Sequence, residues 1–362
     1  MSTKVRHLHR LAILAVLLAA AGVIAYALLS GHGDEGTRSS AGNVIRASRP
    51  LMGTVFKLSA WAPSGHEEAT ADMLHKALDG LEALERRISS WDDDSETSAV
   101  NRAEGKAVAV GNDVLDLTKN SLKWAKRSGG AFDPTGGPLF ELWGRARKEG
   151  KLPSVEAIEK ARKLVGFNNV AIAGETIRLK RPGMKLGFGG LGKGFAADRA
   201  AKLLRAGKIE SFIIDAGGDL LVEGKRGNRP WNVGVRHPRR RSLLATFGST
   251  NCAIATSGDY EQFVAIDGTR YSHIIDPRSG RPAVGLVSVT VIAERGADAD
   301  ALATAIFVLG ADAGLKLVEA SPGVEALVVE HDNRLRTSSG MALEQDQLVL
   351  SQRWTRAREG AE

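Results

Sequence analysis

Apolar positions along the chain follow a helical period in some stretches and alternate at period two in others. Residues 67–88 place Met73, Ala77, Leu81, Leu84 and Ile88 on one face, which predicts an amphipathic helix. A second helix is predicted over 114–128, stopped by Gly129-Gly130. Further helical patterns run over 142–150 and 154–165, with Pro153 between them and Ser154 as N-cap. Residues 195–206 and 298–309 are also helical, with 315–320 continuing the last region. Strand patterns cover 55–60, 211–215, 219–222, 231–236, 243–247, 287–292 and 325–330. Residues 170–172 and 176–179 read as a hairpin around Gly174. Several strands pair as hairpins and helices do not strictly alternate with them. The pattern therefore predicts an α+β fold of mixed sheets and helices rather than a doubly wound sheet.

The N-terminus departs from this pattern. Residues 11–29 form an uncharged run preceded by Lys4, Arg6 and Arg10. A basic flank before an apolar run directs the downstream chain outward across a membrane. The segment is long enough to remain as an anchor, and Ala25-Tyr26-Ala27 offers an alternative cleavage site. The expected organisation is a signal peptide or anchor over 1–29, a Gly/Ser-rich linker over 30–43, one folded domain over 44–350 and a polar tail over 351–362.

Composition narrows the choices only slightly. Apolar content of 43% and charged content of 25% suit an ordinary globular domain. The net charge of +7 is locally concentrated, chiefly in Arg236-His237-Pro238-Arg239-Arg240-Arg241. Without an accompanying nucleic-acid motif this run reads as a solvated loop, and no nucleic-acid partner is expected. The lone Cys252 excludes an intrachain disulfide framework and a cysteine-based zinc site.

Candidate chemistry gathers first in residues 255–283. Asp267-Gly268 is a hairpin turn, and 276–280 (DPRSG) is a second turn. His273 is expected on the short strand 271–275, either as a structural histidine or as a polar group at a cleft edge. The glycine-rich 185–194 (KLGFGGLGKG) precedes a helix; it offers free N–H groups to an anion or simply permits close packing. Asp300 and Thr304 stand one helical turn apart, as two oxygen ligands suited to Mg²⁺ would. Asp300 also suits the start of a helix on dipole grounds alone. Trp91, in a run of acids and hydroxyls, either covers a loop base or offers a stacking face to a planar ligand.

The ordered blocks ISSWDDDSETSAVN, GGAFDPTGGPL, GGLGKGFAAD, DAGGDL, IATSGDYEQF, YSHIIDPRSGRP and ADALATA resemble the signature of the ApbE-type FAD:protein FMN transferase family. The resemblance spans roughly 52–310. It implies an ApbE-like fold and Mg²⁺-dependent cleavage of FAD, the substrate. FMN is then placed on a Thr or Ser hydroxyl of an acceptor protein, and AMP is released. The family's acceptor is typically a subunit of a membrane redox complex. The family is exported or membrane-tethered, which implies an inner-membrane anchor with the domain on the periplasmic side, or a periplasmic protein after cleavage. By the same resemblance Met52, Trp91, Ala131, Phe132, Asp133, Lys193 and Ile274 contact FAD. Asp300, Thr304 and the Gly190 carbonyl hold Mg²⁺, and His273 deprotonates the acceptor. Where many members carry an acid, this chain has Gly187; Asp298 is a nearby acid able either to compensate or merely to complement the helix dipole. Two other readings share the motifs: a pyrophosphatase giving free FMN and AMP, and a non-catalytic FAD-binding protein. No acceptor motif stands in this chain itself, so self-flavinylation is not expected.

Overall fold

A computed structural model describes residues 42–260, 263–266 and 268–351. The predicted N-terminal apolar segment and the tail from residue 352 lie outside them. Among the described residues no helix is long and apolar enough to cross a membrane.

The frame is an eight-stranded sheet in which each strand neighbours the next in chain order, antiparallel throughout. Its strands are β1 (Gly42–Leu51), β2 (Thr54–Pro63), β3 (Phe212–Ala216), β4 (Asp219–Glu223), β5 (Asn251–Gly258), β6 (Leu286–Ala293), β7 (Val324–Glu330) and β8 (Leu335–Thr337). The helices, in chain order, are α1 (Glu67–Ile88), α2 (Glu96–Arg102), α3 (Asn112–Arg127), α4 (Gly137–Glu149), α5 (Val155–Arg162), α6 (Gly192–Ala206), α7 (Gly296–Leu309) and α8 (Ala311–Glu319).

Strand alternation gives the sheet two apolar faces. Ala253, Ala255, Val289, Val291, Ala326 and Val328 face the helical layer, packing with residues such as Leu78 of α1, Phe195 of α6 and Ile306 of α7. Cys252, Ile254, Ile292 and Leu327 face the other way, against Trp231, Val233 and Phe247 of a second, four-stranded sheet. The mixed α+β class read from the sequence is the one observed. Helix α7 is apolar on all sides and buried from Ala299 to Val308 apart from Thr304, which is half-buried.

Several boundaries differ from the sequence pattern, each for a local reason. The first strand begins at Gly42 and turns through Met52-Gly53, both at positive φ, as a two-residue hairpin needs. Helix α4 starts at Gly137 rather than Leu142, because Pro138 suits a first helical turn. The helical run near the C-terminus breaks at Gly310, at φ +81°, into α7 and α8. Strand β5 escapes the period-two reading because its residues are small and mostly buried on both faces.

Candidate active site

The loop before α6 and the start of α6 and α7 form one packed wall. Helix α6 begins at Gly192, so Lys193 and Gly194 lie in its first turn rather than in the preceding loop. The Gly194 N–H donates to Asp300 Oδ2 at 3.1 Å, and the Lys193 N–H also donates to the Asp300 carboxylate. These helix-start donors, expected to be free for an anion, are taken by the protein's own acid. A Cβ on Gly194 would lie 2.1 Å from the Gly296 carbonyl oxygen, so the two helix starts touch backbone to backbone. Asp198 binds the wall together: its carboxylate accepts from the Gly296 N–H at 2.7 Å and the Ala297 N–H at 3.0 Å.

Asp300 is only 5% exposed. Burial pushes its carboxyl up to about 6; the Lys193 ammonium opposes that rise and the Asp219 carboxylate adds to it. Lys193 Nζ is paired with Asp219 Oδ2, and Asp219 Oδ1 accepts the Thr256 N–H at 3.2 Å. A Cβ on Gly190 would stand 3.3 Å from Thr304 Oγ1 and 3.0 Å from the Phe132 ring. The structure thus brings Gly190, Thr304 and Phe132 into one neighbourhood, and Lys193, Asp219 and Asp300 into another joined to it through α7.

The donor set fits a hard divalent cation. Among the described residues no three His, Cys, Asp or Glu side chains gather into a ligand cluster. A cation would instead take one buried carboxylate from Asp300, the hydroxyl of Thr304 and main-chain oxygen from Gly190. Its other positions would be left to water and phosphate, as Mg²⁺ prefers.

Asp133 is held within its own turn. Its Oδ1 accepts from the Thr135 N–H at 2.8 Å and the Thr135 hydroxyl at 2.6 Å, and its Oδ2 accepts from the Phe167 N–H at 2.9 Å. It therefore clamps its own turn, and burial raises its carboxyl against those hydrogen bonds. Ala131 and Phe132 are buried beside it. The Gly187 N–H donates to the Pro134 carbonyl at 2.8 Å, tying this turn to the glycine loop. A Cβ at Gly187 would meet only Ser90 Oγ, at 3.7 Å, so this position has room for a side chain. Asp298 does not stand in for an acid there. Its carboxylate accepts from Trp124 Nε1 at 2.5 Å and Lys123 Nζ at 3.2 Å on α3, and so fastens α7 to α3.

Trp91 follows Ser90 and is 87% exposed. It does not cover the loop base, and its ring is open to a partner. Met52, in the β1–β2 turn, is half-buried, and its N–H donates to Glu85 Oε1 at 2.7 Å.

His273 is not on a strand. The hairpin strand ends at Ser272, whose hydroxyl accepts the Ile274 N–H at 3.1 Å, and pairing resumes at Ile275. His273 is therefore the exposed corner between two hairpins, while Ile274 is buried in the main core. The basic run is fastened nearby: Arg239 pairs with both oxygens of Asp259 at 2.6 Å, and Arg270 donates to the Asp259 carbonyl at 3.2 Å.

Sequence reasoning named the Lys193 and Asp300 ends of the buried cluster but not Asp219, which stands between them. The signal was present in the D-A-G-G-D turn, where an acid after a glycine pair begins a buried strand.

The fold is that of solved ApbE proteins. The structure superposes on the ApbE protein of Thermotoga maritima with a TM-score of 0.75 at 32% identity, covering 82% of this chain and 97% of that one. It superposes on the flavin transferase ApbE of Vibrio cholerae with a TM-score of 0.73 at 29% identity, covering 87% and 99%. The ApbE family model matches residues 52–328. The FAD:protein FMN transferase of Treponema pallidum is 34% identical over 336 residues, 87% of this chain and 92% of that protein. The chain belongs to the ApbE family.

Proposed function

We propose that this chain is an FAD:protein FMN transferase. The observation that carries the reading is the packed wall of Lys193, Asp300, Thr304 and Gly190, in a chain whose relatives of that name align over most of its length. The acceptor's Thr or Ser oxygen attacks the phosphorus on the FMN side of the FAD diphosphate. The bond from that phosphorus to the bridging oxygen breaks, and AMP leaves. His273, exposed at its corner, takes the proton from the attacking hydroxyl as an imidazole general base. Lys193 offsets diphosphate charge from the α6 side. Asp300, Thr304 and the Gly190 carbonyl would hold Mg²⁺, which supplies charge neutralisation at the phosphoryl oxygens when bound. Trp91 offers its exposed face for stacking. Met52, Ala131, Phe132 and Ile274 supply apolar and main-chain contacts, and Asp133 acts by shaping the turn that carries them.

The acceptor on this reading is a subunit of a membrane redox complex. Residues 11–29 keep the domain at the inner membrane on the periplasmic side, or are cleaved to release it there. Exposure of His273 favours one second reading, in which water replaces the acceptor and FMN and AMP are freed. A purely binding role is disfavoured, because Gly190 and Thr304 remain close despite Gly187 and Asp300 stays buried one helical turn before Thr304.

The test is incubation of the purified protein with FAD, Mg²⁺ and a candidate redox subunit. Flavin fluorescence retained on the subunit in a denaturing gel, with one AMP released per flavin attached, is the expected result. Free FMN and AMP alone would establish the hydrolase, and intact FAD would defeat both readings.

A further inference from the structure

Asp219 has no part in the chemistry described so far, yet it is the acid paired with the Lys193 ammonium. It is 6% exposed and opens β4 directly after the Gly217-Gly218 turn. Both of its oxygens are committed. Oδ2 takes the Lys193 ammonium, and Oδ1 accepts the Thr256 N–H at 3.2 Å. The second bond fixes the carboxylate to the sheet. The β4–β5 ladder ends at Ile254 opposite Leu220, so the Asp219 side chain takes a donor on β5 beyond the ladder's last pair. On its other side Thr256 is paired with Thr290 of β6 and shares a hydroxyl hydrogen bond with it at 3.0 Å. The carboxylate is thereby anchored across three strands, while the lysine it holds stands on α6, in the opposite layer.

With Asp219 buried and the Lys193 side chain 31% exposed, the pair adds little to the fold, because desolvating the acid offsets much of the attraction. Such a pair is better suited to fixing a direction. Lys193 stands one residue before Gly194, whose N–H donates to Asp300 at 3.1 Å, so the Asp300 carboxylate lies beside the start of the same helix. A lysine ammonium left without the Asp219 anchor would withdraw its charge from the substrate.

We propose that Asp219 is a positioning residue: it fixes the Lys193 ammonium to the sheet and directs it toward the diphosphate of the bound nucleotide. The proposal rests on the transferase reading of the site, through the role given there to Lys193.

The test is a double-mutant cycle on the full chain, using Asp219→Asn, Lys193→Ala and the pair. AMP release is followed kinetically, and FAD binding is followed separately by flavin fluorescence without metal. Asp219→Asn keeps the shape and an acceptor for Thr256 but removes the charge. It is expected to lower kcat about 10- to 100-fold while FAD affinity changes less than about 3-fold. In the Lys193→Ala background the same change is expected to cost less than about 2-fold, because no ammonium is left to hold. Asp219→Glu, which restores the charge on a longer stem, is expected to recover part of the loss. Equal losses in both backgrounds, or an Asp219→Asn enzyme as fast as wild type, would overturn the positioning role. If Lys193→Ala itself turned over normally, the role given to Lys193 would fail first. If Asp219→Asn is unstable by thermal melting, Asp219→Glu carries the cycle, with non-additivity against Lys193→Ala again required.

Discussion

The wall around Asp300 and the corner at His273 are built in opposite ways. The wall is core. Asp300 sits in a helix buried on all sides, its carboxylate takes main-chain donors, and two glycines bring the helix starts into contact. The corner is surface. His273 is exposed between two short hairpins, held by a serine hydroxyl and by the burial of Ile274. Interactions between charges are strengthened in a low-dielectric setting. On the proposed reading, the group that meets the acceptor has to remain outside. The difference implies that changes in the wall disturb folding and chemistry together, whereas changes at the corner disturb chemistry alone.

Four substitutions test that division, the largest effect first. Asp300→Ala is expected to lower Mg²⁺-dependent AMP release by about 1,000-fold or more, since it removes the carboxylate of the proposed cation set. Activity within about tenfold of wild type would remove the assignment. Gly194→Ala forces a Cβ to 2.1 Å from the Gly296 oxygen, and only backbone movement relieves that. It should cost about 3 kcal/mol in urea unfolding; a loss under about 1 kcal/mol would show that the two helices are free to separate. His273→Ala should slow flavin transfer by about 100-fold, with FAD affinity and melting temperature preserved. A matching drop in melting temperature would place His273 with the wall instead.

The smallest effect depends on pH. Burial raises the Asp198 carboxyl above its ordinary value, against the hydrogen bonds from Ala297 and Gly296. A raised acid contributes its full stability below the unfolded pKa and loses it as pH rises through the folded one. Asp198→Asn gives up one of two main-chain hydrogen bonds at every pH, at about 1 kcal/mol. It also escapes the cost of burying a charge at neutral pH. The variant should therefore lag wild type most near pH 4 and least near pH 7.5, read as melting temperatures across that range; a gap that widens with pH would contradict the direction.

Much of this organisation was legible in the sequence, where local chemistry decided it. The apolar face of α1, the Ser154 cap and the spacing of Asp300 from Thr304 each follow from a period or a single side chain. What stayed hidden depended on contacts far apart in the chain. Strand β5 has too little hydrophobic contrast between its faces to announce itself. The bend at His273 is set by the Ser272 hydroxyl, which breaks a run otherwise suited to a strand. The acidic partner of Lys193 lies 26 residues away, on the far side of a helix and a strand. Asp298, a plausible substitute for a missing acid by proximity in sequence, points to α3 because a helix spreads neighbouring residues around its axis.

The meeting of Gly194 and Gly296 has one more consequence. Where side chains separate two helices, the gap varies with rotamer and with every conservative exchange. Here main-chain atoms set it, and van der Waals radii admit almost no adjustment. The offset between the main chain that carries Lys193 and the main chain that carries Asp300 is therefore a fixed dimension of the protein, like the gap of a machined gauge. On the proposed reading such a gauge suits a substrate of constant size: the diphosphate would be the same length whichever acceptor arrived at the exposed corner.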